Sequence, residues 1–167
     1  MYTEPYWISL PAPLEDVRLG TMPRPRGGEW LEDELTALGR GGVDILASLL
    51  EVQEAKELGL EDEARVADEK GVRFVSCPIP DRAVPEDSRA FRLLAAELAA
   101  ELRQGRSLVT HCRAGIGRSS LLAAACLCCL GMAADAALDL IGEARGRSVP
   151  DTHEQRDWLR RWAEAQS

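Results

Sequence analysis

The turn at positions 111–117, His-Cys-Arg-Ala-Gly-Ile-Gly, lies between a strand-like run and an apolar helical pattern. The run before it, Ser107–Thr110, is short and ends in β-branched residues, and helix-forming residues follow from Leu121 onward. A strand that leads through a tight turn into a helix is the repeating unit of parallel sheets. We therefore expect an α/β fold in which this turn lies at the carboxyl end of a strand, where such folds bind ligands.

Strands and helices alternate along most of the chain. Two further buried strands are predicted at Val43–Leu50 and Val72–Cys77, and helical patterns fill the segments after them. This alternation predicts a central, mostly parallel sheet flanked by helices on both faces. Residues 1–167 are expected to form a single domain, because this length suffices for one apolar core and the chain shows no repeat or long linker.

Apolar residues at helical spacing locate the predicted helices. The clearest is an amphipathic helix that buries Phe91, Leu98 and Leu102 and ends at Gly105. The last helix has a start signal, since Asp151 with Glu154 three residues later resembles a capping box. The other helices are predicted near 31–38, within 51–70 as two pieces broken near Gly59, from Leu121 to Gly131, and near 133–145, and the capped helix is predicted at 152–165.

The composition limits the compartment and the partners. A net charge of −8 disfavours nucleic acid and anionic membranes as partners, although it is compatible with one basic cleft. No apolar run is long enough to cross a bilayer, and the first residues lack a secretion signal. We therefore expect a cytoplasmic protein without stable membrane association. The acidic run Glu61–Glu69 is interpreted as a solvated helix face.

Five cysteines are present, and this odd number is a poor basis for a disulfide framework. Three of them are crowded together, at Cys126, Cys128 and Cys129. Neither a histidine nor a second cysteine pair lies near them in sequence, so we interpret them as small buried apolar residues rather than as metal ligands.

The turn before the apolar helix has the properties of an anion site. Gly115 and Gly117 let the chain curl so that unpaired N–H groups at the start of the helix converge. The helix dipole and the planar fork of Arg118 add positive potential and two donors for phosphate oxygens. The same field stabilises a thiolate on Cys112, which becomes a nucleophile, and Ser119 is placed to donate a hydrogen bond to that sulfur.

The sequence HCRAGIGRS, from His111 to Ser119, resembles the signature of the cysteine-dependent protein tyrosine phosphatases: His-Cys, five residues, Arg, then Ser or Thr. The resemblance implies that Cys112 takes the phosphoryl group as a phosphocysteine intermediate and that Arg118 clamps its oxygens. It also implies that His111 orders the loop and supports the thiolate. The residues that would bind phosphate are Arg113, Ala114, Gly115, Ile116, Gly117 and Arg118.

The loop IPDRAVP, at positions 79–85, resembles the acid loop of the same family. The family motif is Trp-Pro-Asp with a further proline four residues after the aspartate, and Ile79 here replaces the tryptophan. The resemblance implies that Asp81 is the general acid for the leaving oxygen and then the general base for water. Glu86 and Asp87 are alternatives, but they fit better as charges at the start of a helix.

Two further residues are assigned through this resemblance. Gln155 lies on the apolar stripe of the last helix and resembles a late glutamine that orients the attacking water in the family. A glutamine at the edge of the core is an equal alternative. Cys77 ends the strand before the acid loop, and we keep the hypothesis that it protects Cys112 by forming a disulfide.

The resemblance implies a compact dual-specificity phosphatase. The expected substrates are phosphotyrosine, and also phosphoserine and phosphothreonine, in proteins, or a small phosphomonoester. No cofactor or metal is expected, because the loop amides and the arginine stabilise the charge. One alternative is a phosphoinositide or inositol phosphate phosphatase, which Arg113 favours and Ile116 does not, since such enzymes usually carry a second basic residue there. Another alternative is a phosphate-binding module without turnover. The sequence assigns no oligomeric state.

Overall fold

The computed structural model describes residues 1–165, which contain a five-stranded sheet with helices on both faces. The strands are β1 (Tyr6–Trp7), β2 (Leu19–Met22), β3 (Ile45–Ser48), β4 (Arg73–Ser76) and β5 (Leu108–His111). Their order across the sheet is β1-β2-β5-β3-β4. All neighbouring strands are parallel except β1 and β2, which pair antiparallel at one edge. The predicted α/β fold with a mostly parallel sheet is confirmed.

The central strand β5 leads into the glycine-containing turn at positions 111–117. It extends one residue further than predicted, to His111, and it pairs with β2 on one side and β3 on the other. The predicted strand Val43–Leu50 is shorter in the structure, because only its middle pairs with neighbours. The pattern analysis missed β1 and β2, which are short, and β2 contains Gly20, a residue that weakens strand signals.

Each predicted helix has a counterpart in the described residues. The helices are α1 (Leu31–Arg40), α2 (Val52–Glu57), α3 (Glu63–Glu69), α4 (Ser88–Arg103), α5 (Arg118–Cys129), α6 (Ala134–Arg145) and α7 (His153–Glu164). The predicted cap of α7 is wrong by one residue: Thr152 caps the helix instead of Asp151. Its hydroxyl oxygen accepts from the N–H of Gln155 at 3.1 Å, so Gln155 takes the place in the box that was assigned to Glu154.

Two apolar clusters cover the two faces of the sheet. The larger one contains buried residues of α4, α5, α6 and α7, and the smaller one contains residues of α1 and α3. In β5, Leu108 belongs to the first cluster and Val109 to the second, as expected when successive side chains point to opposite faces. Because β5 is buried on both faces, its position is fixed, and so is the position of the turn that follows it. Within residues 1–165, no helix is both long and apolar enough to cross a bilayer.

Candidate active site

The loop of residues 112–117 joins β5 to α5 and is shaped by its glycines. Gly115 has a φ of 74°, and a Cβ atom there would lie 2.6 Å from the backbone of Met22. This crowded, left-handed position therefore requires glycine. Helix α5 begins at Arg118, so the positive end of its dipole faces the loop. Within the described chain, the N–H groups of residues 113–117 donate to no protein acceptor, which leaves them available to an anion.

Cys112 lies buried at the base of this loop. Its Sγ is 3.3 Å from Oγ of Ser119, in the first turn of α5. The backbone at Ser119 is tied to the sheet, because the hydroxyl of Thr110 donates to its carbonyl at 2.9 Å. A deprotonated sulfur here would accept a hydrogen bond from Ser119 and lie at the positive end of α5. The structure thus brings together the cysteine and the serine that the sequence singled out.

The guanidinium of Arg118 is buried and held by several segments of the chain. It donates to both carboxylate oxygens of Glu54, at 2.6 Å from Nη1 and 3.1 Å from Nη2. Nη1 also donates to the carbonyl of Ile79 at 2.8 Å. Burial alone would lower the pKa of Arg118, but the hydrogen bonds and the charge of Glu54 raise it. Arg118 is therefore a fixed cation beside the loop.

Glu54 is a site residue that the sequence analysis missed. As the third residue of α2 it also accepts a hydrogen bond from the N–H of Glu51, 3.1 Å away, in a capping box. Burial raises the pKa of the Glu54 carboxyl, but the hydrogen bonds from Arg118 and Glu51 bring it below its usual value. The exposed Arg113 places its Nε 3.5 Å from the same carboxylate. The Glu51–Glu54 spacing signals a helix start, and nothing in it indicates a site.

Asp81 lies beside Arg118 although the two residues are distant in sequence. Its Oδ1 is 3.2 Å from Nη2 of Arg118, and its side chain is 56% exposed. The next residue, Arg82, has a φ of 63°, so a sharp bend of the backbone follows the aspartate. The alternative acid Asp87 caps α4 instead, where it accepts from the N–H of Ala90 at 2.9 Å. Asp81 is therefore the carboxylate of this segment that contacts the site arginine.

Gln155 is completely buried where α7 meets the acid loop. Its Oε1 accepts from the N–H of Thr152 at 3.2 Å, and its Nε2 donates to the carbonyl of Ala83 at 2.9 Å. The loop of residues 112–117 lies next to Gln155. A Cβ atom on Gly117 would come within 3.2 Å of Oε1 of Gln155 and would overlap the carboxylate of Asp151. The glutamine therefore links α7 to the acid loop, a contact that sequence spacing did not indicate.

His111 lies completely buried behind the loop. Its Nδ1 is 3.2 Å from the carbonyl oxygen of Cys112, and its Nε2 is 2.6 Å from Oε2 of Glu63, the first residue of α3. The interpretation of Glu61–Glu69 as a solvated face is wrong at Glu63, which is 2% exposed. A carboxylate can be buried there because the imidazole supplies a polar partner. The other acidic residues of the run are exposed, as predicted.

The remaining cysteines differ from Cys112 in their surroundings. Burial raises the pKa of Cys77 to about 11, so it is a thiol at neutral pH. Cys126 is completely buried in the apolar cluster, as predicted for a small apolar residue, whereas Cys128 and Cys129 pack against the cluster but are only partly buried. No disulfide joins Cys77 to Cys112 in the structure. The protective disulfide stays a prediction.

Comparison with known proteins gives these features a family context. A family model described as a DSP-PTPase phosphatase of polymorphic toxin systems matches residues 20–132, more than half of the chain. Among curated proteins, cyclin-dependent kinase inhibitor 3 of Rattus norvegicus is 33% identical over 84 residues. That match takes in 49% of this chain, and the chain spans 39% of the length of the relative.

Solved structures share the fold over nearly the whole chain. Kinase associated phosphatase, in a form with serine in place of its catalytic cysteine, matches with a TM-score of 0.86 and 21% identity, over 99% of this chain and 96% of that one. Tk-PTP in its active form matches with a TM-score of 0.72 and 25% identity, over 88% and 92% of the two chains. The chain thus belongs to the DSP-PTPase phosphatase family of polymorphic toxin systems, a compact dual-specificity type of cysteine-dependent phosphatase.

Proposed function

We propose that this protein hydrolyses phosphate monoesters through a phosphocysteine intermediate on Cys112. The observation that carries the proposal is the meeting of Cys112, Arg118 and Asp81 around a loop whose N–H groups lack protein acceptors in the described chain. The thiolate of Cys112 is the nucleophile, the guanidinium and the amides bind the phosphate oxygens, and the carboxyl of Asp81 donates a proton to the leaving oxygen. No other group in the proposed mechanism has to bind the phosphoryl oxygens.

In the first step the Cys112 thiolate attacks phosphorus in line with the leaving oxygen. A sulfur–phosphorus bond forms while the bond from phosphorus to the leaving oxygen breaks. Protonated Asp81 gives its proton to that oxygen, so the alcohol or phenol departs neutral. Arg118 and the N–H groups of residues 113–117 stabilise the negative charge on the three oxygens of the transferring group. The hydrogen bonds from Arg118 to Glu54 hold the guanidinium in orientation during this step.

In the second step water attacks the phosphocysteine. Asp81, now ionised, accepts a proton from the water, an oxygen–phosphorus bond forms and the sulfur–phosphorus bond breaks. The hydroxyl of Ser119, 3.3 Å from Sγ, donates to the departing thiolate. We assign Gln155 to this step as the residue that orients the water, supported by its place between the acid loop and Gly117. Inorganic phosphate is the product.

The proposed substrates are phosphotyrosine, and also phosphoserine and phosphothreonine, in proteins. The dual-specificity type of the family supports this breadth. The alternative of an inositol phosphate substrate loses part of its basis, because Arg113 has a carboxylate oxygen of Glu54 3.5 Å away and is partly neutralised. We propose a reducing, cytoplasmic location, because the mechanism requires Cys112 as a free thiol. That residues 1–167 act as one domain stays a prediction.

The test is phosphate release from an aryl phosphate between pH 5 and 8, with a chelator present, by the wild type and two variants. Cys112→Ser should be inactive because it lacks the thiolate. Asp81→Asn should lose about 100-fold in rate on a substrate with a poor leaving group, because the general acid is gone. The matched control is Asp87→Asn, which keeps a good helix cap and should retain the wild-type rate.

Two results would contradict the proposal. Folded wild type that binds phosphopeptide but releases no phosphate would identify a binding module without turnover. Activity that survives in Cys112→Ser would exclude the phosphocysteine intermediate. Rates on phosphopeptides and on soluble inositol phosphates, compared as kcat/KM, then decide the substrate class.

A further inference from the structure

Glu63 and His111 form a buried pair directly behind the phosphate loop. Oε2 of the carboxylate lies 2.6 Å from Nε2 of the imidazole, and the two side chains are 2% and 0% exposed. They come from separate elements, the start of α3 and the end of β5. A glutamate is seldom buried so completely unless it is paired. The chain therefore holds this carboxylate against the histidine and away from solvent.

The partners of His111 determine where its protons lie. The carbonyl oxygen of Cys112, 3.2 Å from Nδ1, can only accept a hydrogen bond. An ionised Glu63, which faces Nε2, can also only accept. Both contacts are hydrogen bonds when both ring nitrogens carry a hydrogen. A doubly protonated imidazole is costly inside a protein unless a nearby negative charge compensates it, and Glu63 supplies that charge.

We propose that Glu63 is a positioning residue for Cys112: it keeps both ring nitrogens of His111 protonated, so that the ring that donates to the carbonyl of Cys112 is a positively charged imidazolium. This inference rests on the proposed function, because it assigns a support for the proposed nucleophile. The signature His-Cys-x5-Arg contains the histidine but has no place for Glu63, which enters from a helix 48 positions earlier in the chain. The pair therefore adds a residue to the site that the motif does not contain.

The consequence for Cys112 is geometric and electrostatic. When Nδ1–H donates to its carbonyl, the peptide group that carries the nucleophile cannot rotate, and Sγ keeps its position near Ser119 and the start of α5. The imidazolium also places positive charge beside the peptide group of the thiolate residue. Without the carboxylate the buried ring gives up the proton on Nε2. Nδ1 keeps its hydrogen, because the carbonyl of Cys112 can only accept, and the positive charge beside Cys112 is lost.

The groups around His111 leave Glu63 as its charged contact. Its partners on the neighbouring strands, Met22 on β2 and Ser48 on β3, carry no charge. The other titratable groups of the site are Cys112, Asp81, Arg113, and Arg118 with its carboxylate partner from α2. Arg118 is already paired at 2.6 Å. A change at Glu63 should therefore act on the imidazole directly.

The first experiment is nitrogen-15 NMR of the protein with labelled histidine. The chain has two histidines, and the exposed His153 serves as an internal reference. The proposal predicts that both ring nitrogens of His111 carry hydrogen in the wild type from pH 6 to 7. It predicts that Nε2 has lost its hydrogen in Glu63→Gln over the same range, because the new side-chain amide can donate to it. One bare ring nitrogen on His111 of the wild type would overturn the proposal, whether or not the protein turns over substrate.

The second experiment is the rate of alkylation of Cys112 by iodoacetamide as a function of pH. With Glu63→Gln the midpoint of this profile should move up by about one pH unit, because the positive charge beside the thiolate is lost. The matched control is Glu34→Gln, which changes an equally buried glutamate on α1 that does not contact His111. Mass spectrometry identifies the alkylated cysteine, and Cys112→Ser gives the background.

The two variants separate a positioning role from a merely structural one. Thermal unfolding of both measures how much each loses in stability. If Glu63→Gln and Glu34→Gln lose stability but keep the wild-type alkylation profile, Glu63 only stabilises the fold and the proposal is wrong. Because alkylation and NMR need no turnover, their outcome is independent of whether phosphate release is observed. Where wild type is active, kcat/KM of Glu63→Gln should fall about tenfold at neutral pH.

Discussion

The guanidinium of Arg118 lies beside the loop of residues 112–117, and some of its N–H groups already donate to acceptors in the protein. Two of its guanidinium nitrogens donate to Glu54, so the planar fork is fixed before any phosphate is bound. Pre-organisation of this kind lowers the entropy cost of forming further hydrogen bonds. The carboxylate should therefore contribute to phosphate binding although it carries the same sign of charge as the substrate.

Glu54→Gln tests this role of the carboxylate. We expect kcat/KM for an aryl phosphate to fall about tenfold, because hydrogen bonds to charged groups each contribute about 1.5–3 kcal/mol and the fork loses its orientation. Glu57→Gln is the control, because it makes the same change at an exposed position of α2. A Glu54→Gln variant with higher kcat/KM than wild type would show that the negative charge mainly repels substrate.

Gly115→Ala tests the shape of the loop. The Cβ would meet the backbone of Met22 at 2.6 Å in a backbone conformation with a φ of 74°, and we expect a loss of about 2 kcal/mol or more of unfolding free energy. Gly105→Ala is the control, because Gly105 has a φ of 89° but nothing within 4 Å of the added Cβ. Chemical denaturation of both variants measures the difference. Equal losses would mean that the close approach to Met22 carries no cost.

The site residues that the local pattern revealed by itself lie close together along the chain, whereas Asp81 and Gln155 were assigned through the family resemblance. Cys112, Arg118 and Ser119 share one turn, and a local pattern was enough to find them. Glu54 and Glu63 belong to short helices whose own sequence signals only a helix start or an acidic surface. They become site residues because the fold brings Glu54 to Arg118 and Glu63 to His111, and no local pattern encodes those contacts.

At the scale of the elements, three aromatic rings join α4 to α7. Phe91 of α4 makes edge contacts with Trp158 and Trp162 of α7, with ring centroids 5.4 and 5.6 Å apart. The two tryptophans are stacked at 6.2 Å. This packing positions the helix that carries Gln155 and thereby supports the acid loop.

Phe91→Ala should lower the free energy of unfolding by about 3–5 kcal/mol, because it leaves a cavity between α4 and α7. Leu93→Ala, on the same helix and 65% exposed, should change it by less than about 0.5 kcal/mol. Urea denaturation followed by tryptophan fluorescence measures both. Similar effects of the two substitutions would contradict the role given to the aromatic cluster.

Helical periodicity located α1, α4, α6 and α7, because each of them buries one apolar stripe. Helix α5 is buried nearly all round and α2 has no buried residue, so these two have no such stripe. The strands were harder, since a buried strand of four residues shows little alternation. At the N-terminus β1 and β2 escaped prediction because β1 has only two residues and β2 is a short buried strand that contains Gly20. They are recognised through their pairing with each other and of β2 with β5. The capping residue of α7 was misplaced by one because Asp151 and Thr152 are both good caps.

For the whole molecule, buried carboxylates make stability depend on pH. Glu34 of α1 is completely buried and accepts from the backbone N–H groups of Thr3 and Arg26, at 2.8 and 2.9 Å. Burial raises the pKa of the Glu34 carboxyl, but these hydrogen bonds outweigh it and leave the pKa below its usual value. The Glu54 pKa is lowered as well. Such groups stabilise the fold above the unfolded-state pKa, about 4.3, and this stability is lost as pH falls through the folded-state pKa.

We expect the free energy of unfolding to decrease as pH falls from 5 to 3. Glu34→Gln should be about 1–3 kcal/mol less stable than wild type at pH 7, and the difference should shrink toward pH 3, where the wild-type carboxylate is protonated too. Urea denaturation at several pH values measures this. A difference that stays constant across the range would show that Glu34 contributes through shape and not through charge.

The proposed active site is assembled from parts of the chain that are far apart. Glu54, Asp81, Cys112 and Gln155 lie on four different segments, and each reaches the loop through a separate helix or turn. A peptide that contains the signature alone would therefore be inert. Catalytic activity therefore reports whether a molecule is completely folded. A cleaved or truncated molecule should lose activity even if it still contains Cys112. Activity per molecule, followed during limited proteolysis, would count the fully assembled fraction of a preparation.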